Sequence, residues 1–298
     1  MTIKIGINGL GRIGRMVIRS ILENNNKNLE IKHINNRTDS KNCSQLLKYD
    51  SVHGKFNADI KSNDKNLIIN NKQIYYSRET DIKKINWKKS GVEIVLECTG
   101  KNNSKEKVFQ HIKNGAKKVI VSAPCKNADK TVVYGVNHKI IKKKDLVISA
   151  ASCTTNCLAP VAKVLNDEFK IEKGFMTTIH SYTTDQRLLD NSHKDPRRAR
   201  SAAQSIVPTS TGASKALSEI IPELKGKIEG LALRVPTPNV SLVDLVFNSK
   251  KKLSINKIND SFKKASKTNL KNILEATEEK LVSIDFNHNP NSAIVDLS

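Results

Sequence analysis

Aromatic side chains make up only 4% of the 298 residues, so a core here has to be built mainly from aliphatic side chains. Hydrophobic residues reach 38%, and apolar-periodic segments recur from end to end, which excludes wholesale disorder. No apolar run approaches the ~18 residues of a membrane-spanning helix, so no membrane partner is expected. Cysteines number five (Cys43, Cys98, Cys125, Cys153, Cys157), with no C-x-x-C pair and no Cys/His spacing of a zinc site. That pattern argues for free thiols in a reducing compartment, and no metal is expected. The chain enters a strand pattern at once, MTIKIGINGL, leaving no room for a leader. A cytoplasmic protein is expected.

Acidic residues are also scarce, 29 against 51 Lys plus Arg, for a formal net charge of +22. One reading is an electrostatic footprint for nucleic acid. The other is composition drift, since Lys, Asn and Ile are abundant throughout. The lysine clusters (Lys117-Lys118, Lys142 to Lys144, Lys250 to Lys252) are short, scattered and free of interleaved aromatics, which favours drift.

The first half alternates strands with helices. Strands are expected at Thr2 to Asn8, Leu29 to Asn35, Val92 to Cys98, Lys118 to Ser122 and Leu146 to Ala150. Helices are expected at Ile13 to Leu22, Ser44 to Tyr49 and Lys105 to Lys113. Asn70-Asn71 reads as the tight turn of a hairpin between Leu67 to Ile69 and Gln73 to Tyr76. This alternation implies a Rossmann-type parallel sheet, a domain of residues 1–150. Beyond it the pattern changes. A helix follows Cys153, with Pro160 inside it as a source of a kink. Longer strands come next at Phe175 to Tyr182, Gly230 to Val235 and Val240 to Phe247, with a basic irregular stretch from Leu188 to Ser210 between the first two. Residues 151–298 thus read as an α+β domain with a largely antiparallel sheet, and the whole chain as α/β.

Gly9-Leu10-Gly11-Arg12-Ile13-Gly14 matches G-x-G-x-x-G after a strand and at the start of a helix, the context that motif requires. Gly9 permits the tight turn, Gly11 the approach of a pyrophosphate and Gly14 close helix–strand packing. The helix N-terminus supplies N–H groups for phosphate. The end of the second strand should carry a carboxylate for a ribose 2′-OH. Instead it reads Asn35-Asn36-Arg37.

Ala151-Ser152-Cys153-Thr154-Thr155-Asn156-Cys157 lies between a strand and a helix. A cysteine at a helix start feels the dipole and free N–H groups, which favour thiolate. The same N–H groups can stabilise an oxyanion. Structural and nucleophilic readings of Cys153 stand about even on this ground alone. His180, at the mouth of a strand, is a suitable base for it.

These residues belong to a colinear series. It runs from Ile7 to Arg15, through Leu47-Lys48-Tyr49-Asp50-Ser51 and Ala151 to Cys157, to His193-Lys194-Asp195 and Arg197-Arg198-Ala199-Arg200. It ends with Pro208 to Ala213 and Leu233-Arg234-Val235-Pro236-Thr237-Pro238-Asn239-Val240-Ser241. The series closely resembles the phosphorylating glyceraldehyde-3-phosphate dehydrogenases over nearly the whole chain. The resemblance implies conversion of D-glyceraldehyde 3-phosphate, inorganic phosphate and an oxidised nicotinamide cofactor to 1,3-bisphosphoglycerate, in glycolysis, gluconeogenesis or carbon fixation, by a homotetramer. It implies Cys153 as nucleophile and His180 as acid and base. It implies a substrate phosphate site of Thr183, Asp185 and Arg234, with Asp185 orienting rather than touching the anion. The inorganic phosphate site would be Ser152, Thr154, Arg198, Thr211 and Gly212. Arg12, Ile13, Arg78, Thr99, Gly100 and Ser122 would line the cofactor.

Two departures bear on NAD against NADP. Asn36 and Arg37 stand where NAD-specific relatives have a carboxylate that repels a 2′-phosphate. Ser192 stands where many of them have proline, and relatives that accept NADP carry a serine there. From a neighbouring subunit, its hydroxyl would donate to the phosphate. Dual use or an NADP preference is therefore expected. Family chains also normally continue beyond the stretch Asn287 to Asp296, so a shortened chain with a gap in its sheet is expected. Two rival functions remain. The same machinery would serve erythrose 4-phosphate, and a non-catalytic basic RNA-binding protein could use the same fold.

Overall fold

The computed structural model describes residues 2–298. Two compact units emerge, Met1–Val132 with Ile140–Ala151, and Val133–Lys139 with Ser152–Ser298.

The first unit holds β1 (Ile3–Asn8), α1 (Arg12–Glu23), β2 (Leu29–Asn35), α2 (Ser40–Lys48), β3 (Tyr49–Asp50), β4 (Gly54–Lys55), β5 (Ile60–Asn63), β6 (Asn66–Ile69) and β7 (Lys72–Ser77). It continues with β8 (Ile94–Glu97), α3 (Lys105–Lys113), β9 (Lys118–Val121), β10 (Lys130–Thr131) and β11 (Val147–Ser149). Nine strands form one sheet in the order β10-β11-β9-β8-β1-β2-β7-β6-β5. Pairing is parallel from β10 to β7 and antiparallel from β7 to β5. The expected Rossmann-type sheet is therefore present. One apolar cluster packs around Ile5, Ile7, Ile18 and Ile34, and a second around Trp87, Val95, Val108 and Val119. With β2 on one side of β1 and β8 on the other, the carboxyl end of β1 is the switch point where such sheets open a ligand crevice.

Local chemistry explains most boundaries. Asn70 (φ 48°) and Asn71 (φ 63°) adopt the left-handed conformation that a two-residue hairpin needs, and β6 pairs with β7 around them as expected. The helix expected at Ser44 to Tyr49 is displaced. It starts at Ser40, because the Asp39 carboxylate accepts the Asn42 N–H at 2.8 Å, and it stops before Tyr49, which is extended and pairs with Lys55.

The second unit holds α4 (Cys153–Phe169), β12 (Ile171–Ser181), β13 (Val207–Thr209), α5 (Ala213–Ile220), β14 (Ile228–Val235), β15 (Leu242–Ser249), α6 (Ile255–Lys267), β16 (Leu274–Thr277) and β17 (Ala293–Asp296). Its main sheet runs β13-β14-β12-β15. The outer pairs are antiparallel, as expected, while the central β12–β14 pair is parallel. α4 continues through Pro160 as one helix, burying Leu158, Ala162, Leu165 and Phe169. β12 begins at Ile171, four residues before the apolar run, because Ile171 pairs with Ser249 across the sheet. β13 lies inside the stretch expected to be irregular.

Candidate active site

Cys153 is the first residue of α4, at the end that sequence pattern assigned to it. Ala151, with φ 59°, turns the chain, and Ser152 caps the helix by accepting the Thr155 N–H at 3.1 Å. Cys153 is exposed, and its Sγ lies 3.2 Å from His180 Nε2. His180 reaches this position through the period-two geometry of β12, which turns Met176, Thr178 and His180 to one buried face. His180 Nδ1 lies 2.6 Å from the Ser181 carbonyl oxygen, which can only accept. Nδ1 therefore carries a proton, and Nε2 faces the sulfur as acceptor, or as donor once charged.

Desolvation raises the pKa of the Cys153 thiol, but His180 and the amide and hydroxyl of Thr154 outweigh it and hold the thiol below its ordinary value. Burial pushes Cys98 and Cys157 up to about 11 and raises Cys43 and Cys125. Among the five thiols, Cys153 alone is shifted toward thiolate.

Parallel pairing sets Arg234 of β14 directly opposite His180. Its guanidinium donates to the Ser181 carbonyl at 3.0 Å and lies 3.5 Å from Thr183 Oγ1. The Nη1 atom is also 3.1 Å from His180 Nδ1, but two N–H groups cannot bond each other, so the bond is to the carbonyl. Buried Arg234 Nε has no partner. Arg198 forks onto Thr209 Oγ1 at 3.1 and 3.0 Å and donates to Asp185 at 2.6 Å. The expectation grouped Asp185 with Arg234; the structure bonds it to Arg198, because the segment folds back and the Arg187 N–H meets the Arg198 carbonyl at 3.3 Å. Thr154 is buried, the Thr211 hydroxyl accepts the Ala213 N–H at 3.2 Å, and Gly212 caps α5 without a side chain. Ser192 is exposed, and its carbonyl holds the Arg187 guanidinium at 2.9 and 2.8 Å.

Sequence reasoning did not assign Thr178, Thr209 or Ser241. Thr178 Oγ1 is buried without a partner, Thr209 joins Arg198 to Asp195, and Ser241 Oγ accepts the Ser181 N–H at 3.1 Å. The alternation that aligned His180 with its strand would have picked out Thr178. Thr209 and Ser241 carried no signal beyond their motifs.

In the first unit, Gly9 has φ 96° and starts the turn into α1. A Cβ on Gly14 would stand 2.0 Å from the Gly9 carbonyl oxygen, whereas a Cβ on Gly11 would meet nothing within 4 Å. Gly14 is thus required by packing, and Gly11 leaves space at a helix N-terminus with free N–H groups. This cradle fits a dinucleotide pyrophosphate. Ile13 is half exposed at 51%, and Arg12 pairs with Asp50, whose carboxyl is held down to about 2. Burial opposes that shift, and bonds from the His53 and Val52 amides and from Arg12 overcome it. Asn36 Oδ1 accepts the Leu10 N–H at 3.1 Å, and Nδ2 donates to Cys43 Sγ at 3.1 Å. Arg37 is exposed, and its carbonyl accepts from Arg78 Nε at 3.4 Å. Thr99, Gly100 (φ 69°) and Ser122 follow the ends of β8 and β9. Among the described residues, no group of His, Cys, Asp and Glu is arranged to hold a metal, and no helix is long and apolar enough to cross a membrane.

One unit offers a dinucleotide crevice and the other a cysteine–histidine pair beside arginines, an arrangement that suits a nucleotide-linked oxidoreductase. Comparison with known proteins identifies its kind. The family described as glyceraldehyde 3-phosphate dehydrogenase, NAD binding domain, matches residues 3–105, and the corresponding C-terminal domain matches residues 152–298. The glyceraldehyde-3-phosphate dehydrogenase of Priestia megaterium (strain DSM 319 / IMG 1521) is 54% identical over 297 residues, 99% of this chain and 88% of that protein. That of Geobacillus stearothermophilus is 52% identical over the same shares of both chains. Glyceraldehyde-3-phosphate dehydrogenase 1 of Bacillus subtilis (strain 168) is 53% identical, again over 99% and 88%. The chain belongs to the glyceraldehyde-3-phosphate dehydrogenase family, and it is an NAD-dependent oxidoreductase.

Proposed function

We propose that this chain oxidises and phosphorylates D-glyceraldehyde 3-phosphate to 1,3-bisphosphoglycerate, a step of glycolysis and of its reversal. One observation carries the reading: Cys153 Sγ lies 3.2 Å from His180 Nε2, and the strand residue paired with His180 is an arginine whose buried Nε lacks an acceptor. A buried guanidinium nitrogen without a partner calls for an anion.

His180 Nε2 takes the proton of Cys153, and the sulfur attacks the aldehyde carbon. The carbonyl electron pair moves to oxygen, where the first-turn N–H groups of α4 stabilise it and His180 returns a proton, giving a hemithioacetal. His180 then removes the hydroxyl proton as the C–H bond breaks. Bound NAD supplies the hydride acceptor. The resulting thioester is attacked by an oxygen of inorganic phosphate; the C–S bond breaks and Cys153 leaves as thiolate. Arg234 and Thr183 would hold the substrate phosphate, with Asp185 orienting the site through Arg198. Ser152, Thr154, Arg198, Thr211 and Gly212 would hold inorganic phosphate. Formation of reduced cofactor should require both aldehyde and phosphate. Arg234→Leu should raise KM for the aldehyde at least ~10-fold. Turnover independent of inorganic phosphate would overturn the reading. Comparing kcat/KM for erythrose 4-phosphate tests the sibling activity. Steep salt dependence of RNA binding in a chain with no turnover would support the non-catalytic alternative.

For the cofactor, we read Arg12, Ile13, Asn36, Arg37, Arg78, Thr99, Gly100 and Ser122 as its lining and extend NAD use to NADP. Asn36 keeps one lone pair on Oδ1 beyond its bond to Leu10, and it carries no charge to repel a 2′-phosphate. Arg37 nearby, and Ser192 from a second copy, would add donors; charge-assisted bonds of this kind contribute ~1 to 3 kcal/mol. Exposed Leu188, Leu189 and Ile206 in the basic segment, with Leu242 and Val246 on β15, support assembly into a homotetramer. Five free thiols support a reducing, cytoplasmic setting.

A further inference from the structure

Glu97, the last residue of β8, has no part in the reaction described above. It is 1% exposed. One carboxylate oxygen accepts from Asn8 Nδ2 at 2.7 Å, Asn102 Nδ2 at 3.1 Å and His111 Nε2 at 3.0 Å. The other accepts from the Thr99 amide at 2.9 Å and from the Thr99 hydroxyl. Amides and a hydroxyl are neutral, and so is His111. The Trp87 indole N–H, which can only donate, is directed at His111 Nδ1 at 2.8 Å. Nδ1 is therefore the bare nitrogen, and the single ring proton sits on Nε2, given to Glu97. Every partner of the two Glu97 oxygens donates and none accepts, an arrangement that suits the carboxylate and leaves no acceptor for the proton of an acid, so the group is ionised at neutral pH. A buried negative charge thus rests on neutral donors alone.

Its place gives that charge a consequence. In a doubly wound sheet the end of β2, here Asn36, takes the adenosine ribose. β8 lies on the other side of β1, so its end faces the nicotinamide half. A nicotinamide ring is a cation when oxidised and neutral when reduced. We propose that Glu97 is a specificity-determining residue that biases the site toward the oxidised cofactor. The carboxylate attracts the cationic ring and has no comparable interaction with the neutral one. Its repulsion of the pyrophosphate is common to both forms and cancels in their ratio.

The inference rests on the NAD-binding reading of this unit, and equilibrium binding to the full chain separates the two. Glu97→Gln keeps the shape and removes the charge. NAD affinity, measured by calorimetry, should fall roughly tenfold relative to NADH affinity, measured by the fluorescence of the reduced ring, the order of one unit charge acting through protein. Asn102→Lys leaves Glu97 in place and sets an ammonium beside it; the NAD:NADH affinity ratio should fall in the same direction. Thr99→Val removes a bond without removing charge and should weaken both forms alike. If either charge variant moves both affinities equally, Glu97 is only structural and the inference is overturned. A chain that binds neither form overturns the cofactor reading and this inference with it.

Discussion

At the scale of single residues, the thiols differ by environment and not by chemistry. Cys153 has a histidine at 3.2 Å and a helix start; the other four are pushed away from thiolate. Brief treatment with substoichiometric iodoacetamide, mapped by mass spectrometry, should label Cys153 almost alone. Because its pKa is lowered in the folded chain, the alkylation rate should persist below pH 9, the ordinary value for a thiol here, and His180→Ala should move the profile upward. Equal labelling of all five would contradict the assignment. Asn36 supports a second residue-scale prediction. Asn36→Asp should raise the ratio of kcat/KM for NAD over NADP, since a carboxylate would repel the 2′-phosphate. An enzyme restricted to NAD, unmoved by that substitution, would show that the departure carries no specificity.

At the scale of elements, the turn from β1 into α1 separates what packing requires from what a ligand requires. Gly14→Ala drives a methyl into the Gly9 carbonyl, so both stability and dinucleotide affinity should fall, the former by about 1 to 3 kcal/mol. Gly11→Ala meets no atom within 4 Å, so the urea midpoint should hold while NAD affinity drops at least ~10-fold. Equal stability losses in the two variants would mean that the cradle serves packing alone. At α4, the Ser152 hydroxyl is used to cap the Thr155 N–H, and Ser152→Ala should cost about 1 kcal/mol of stability, read from the urea midpoint.

At the scale of the whole molecule, pH dependence of stability should come in two stages. His33 is buried between the rings of Tyr75 and Trp87, and burial lowers its pKa from 6.5 to about 4. The unfolded chain takes up this proton below about pH 6.5 and the folded chain does not, so stability should fall between pH 6.5 and 4, by roughly 3 kcal/mol in all. The second stage has the aspartate sign. Asp50 is held down to about 2, so its contribution is present above its unfolded value near 3.8 and is lost as the pH falls toward 2. Urea midpoints measured against pH should show both stages, and His33→Gln should flatten the upper one. The exposed Leu188, Leu189 and Ile206 predict self-association, which sedimentation at increasing protein concentration would check.

Local pattern was enough for much of this molecule. Alternating apolar segments placed β1, β2, β8 and β9, the Asn70-Asn71 pair made its hairpin, and Cys153 stood at a helix start, because period, turn chemistry and capping act within a few residues. The early start of α2 was missed because Asp39 caps it through a side chain ahead of any apolar periodicity, and α6 because only Phe262 and Ala265 of its polar sequence are buried. Pairing across the chain lay beyond local pattern altogether. That Arg234 stands opposite His180 follows from the parallel register of β12 with β14, that Asp185 bonds Arg198 follows from the fold-back at Arg187, and that Asn8 donates to Glu97 follows from the adjacency of β1 and β8. Those partners are far apart in sequence, and only the hydrogen-bonded register of the sheets and the fold-back of the chain bring them within reach of one another.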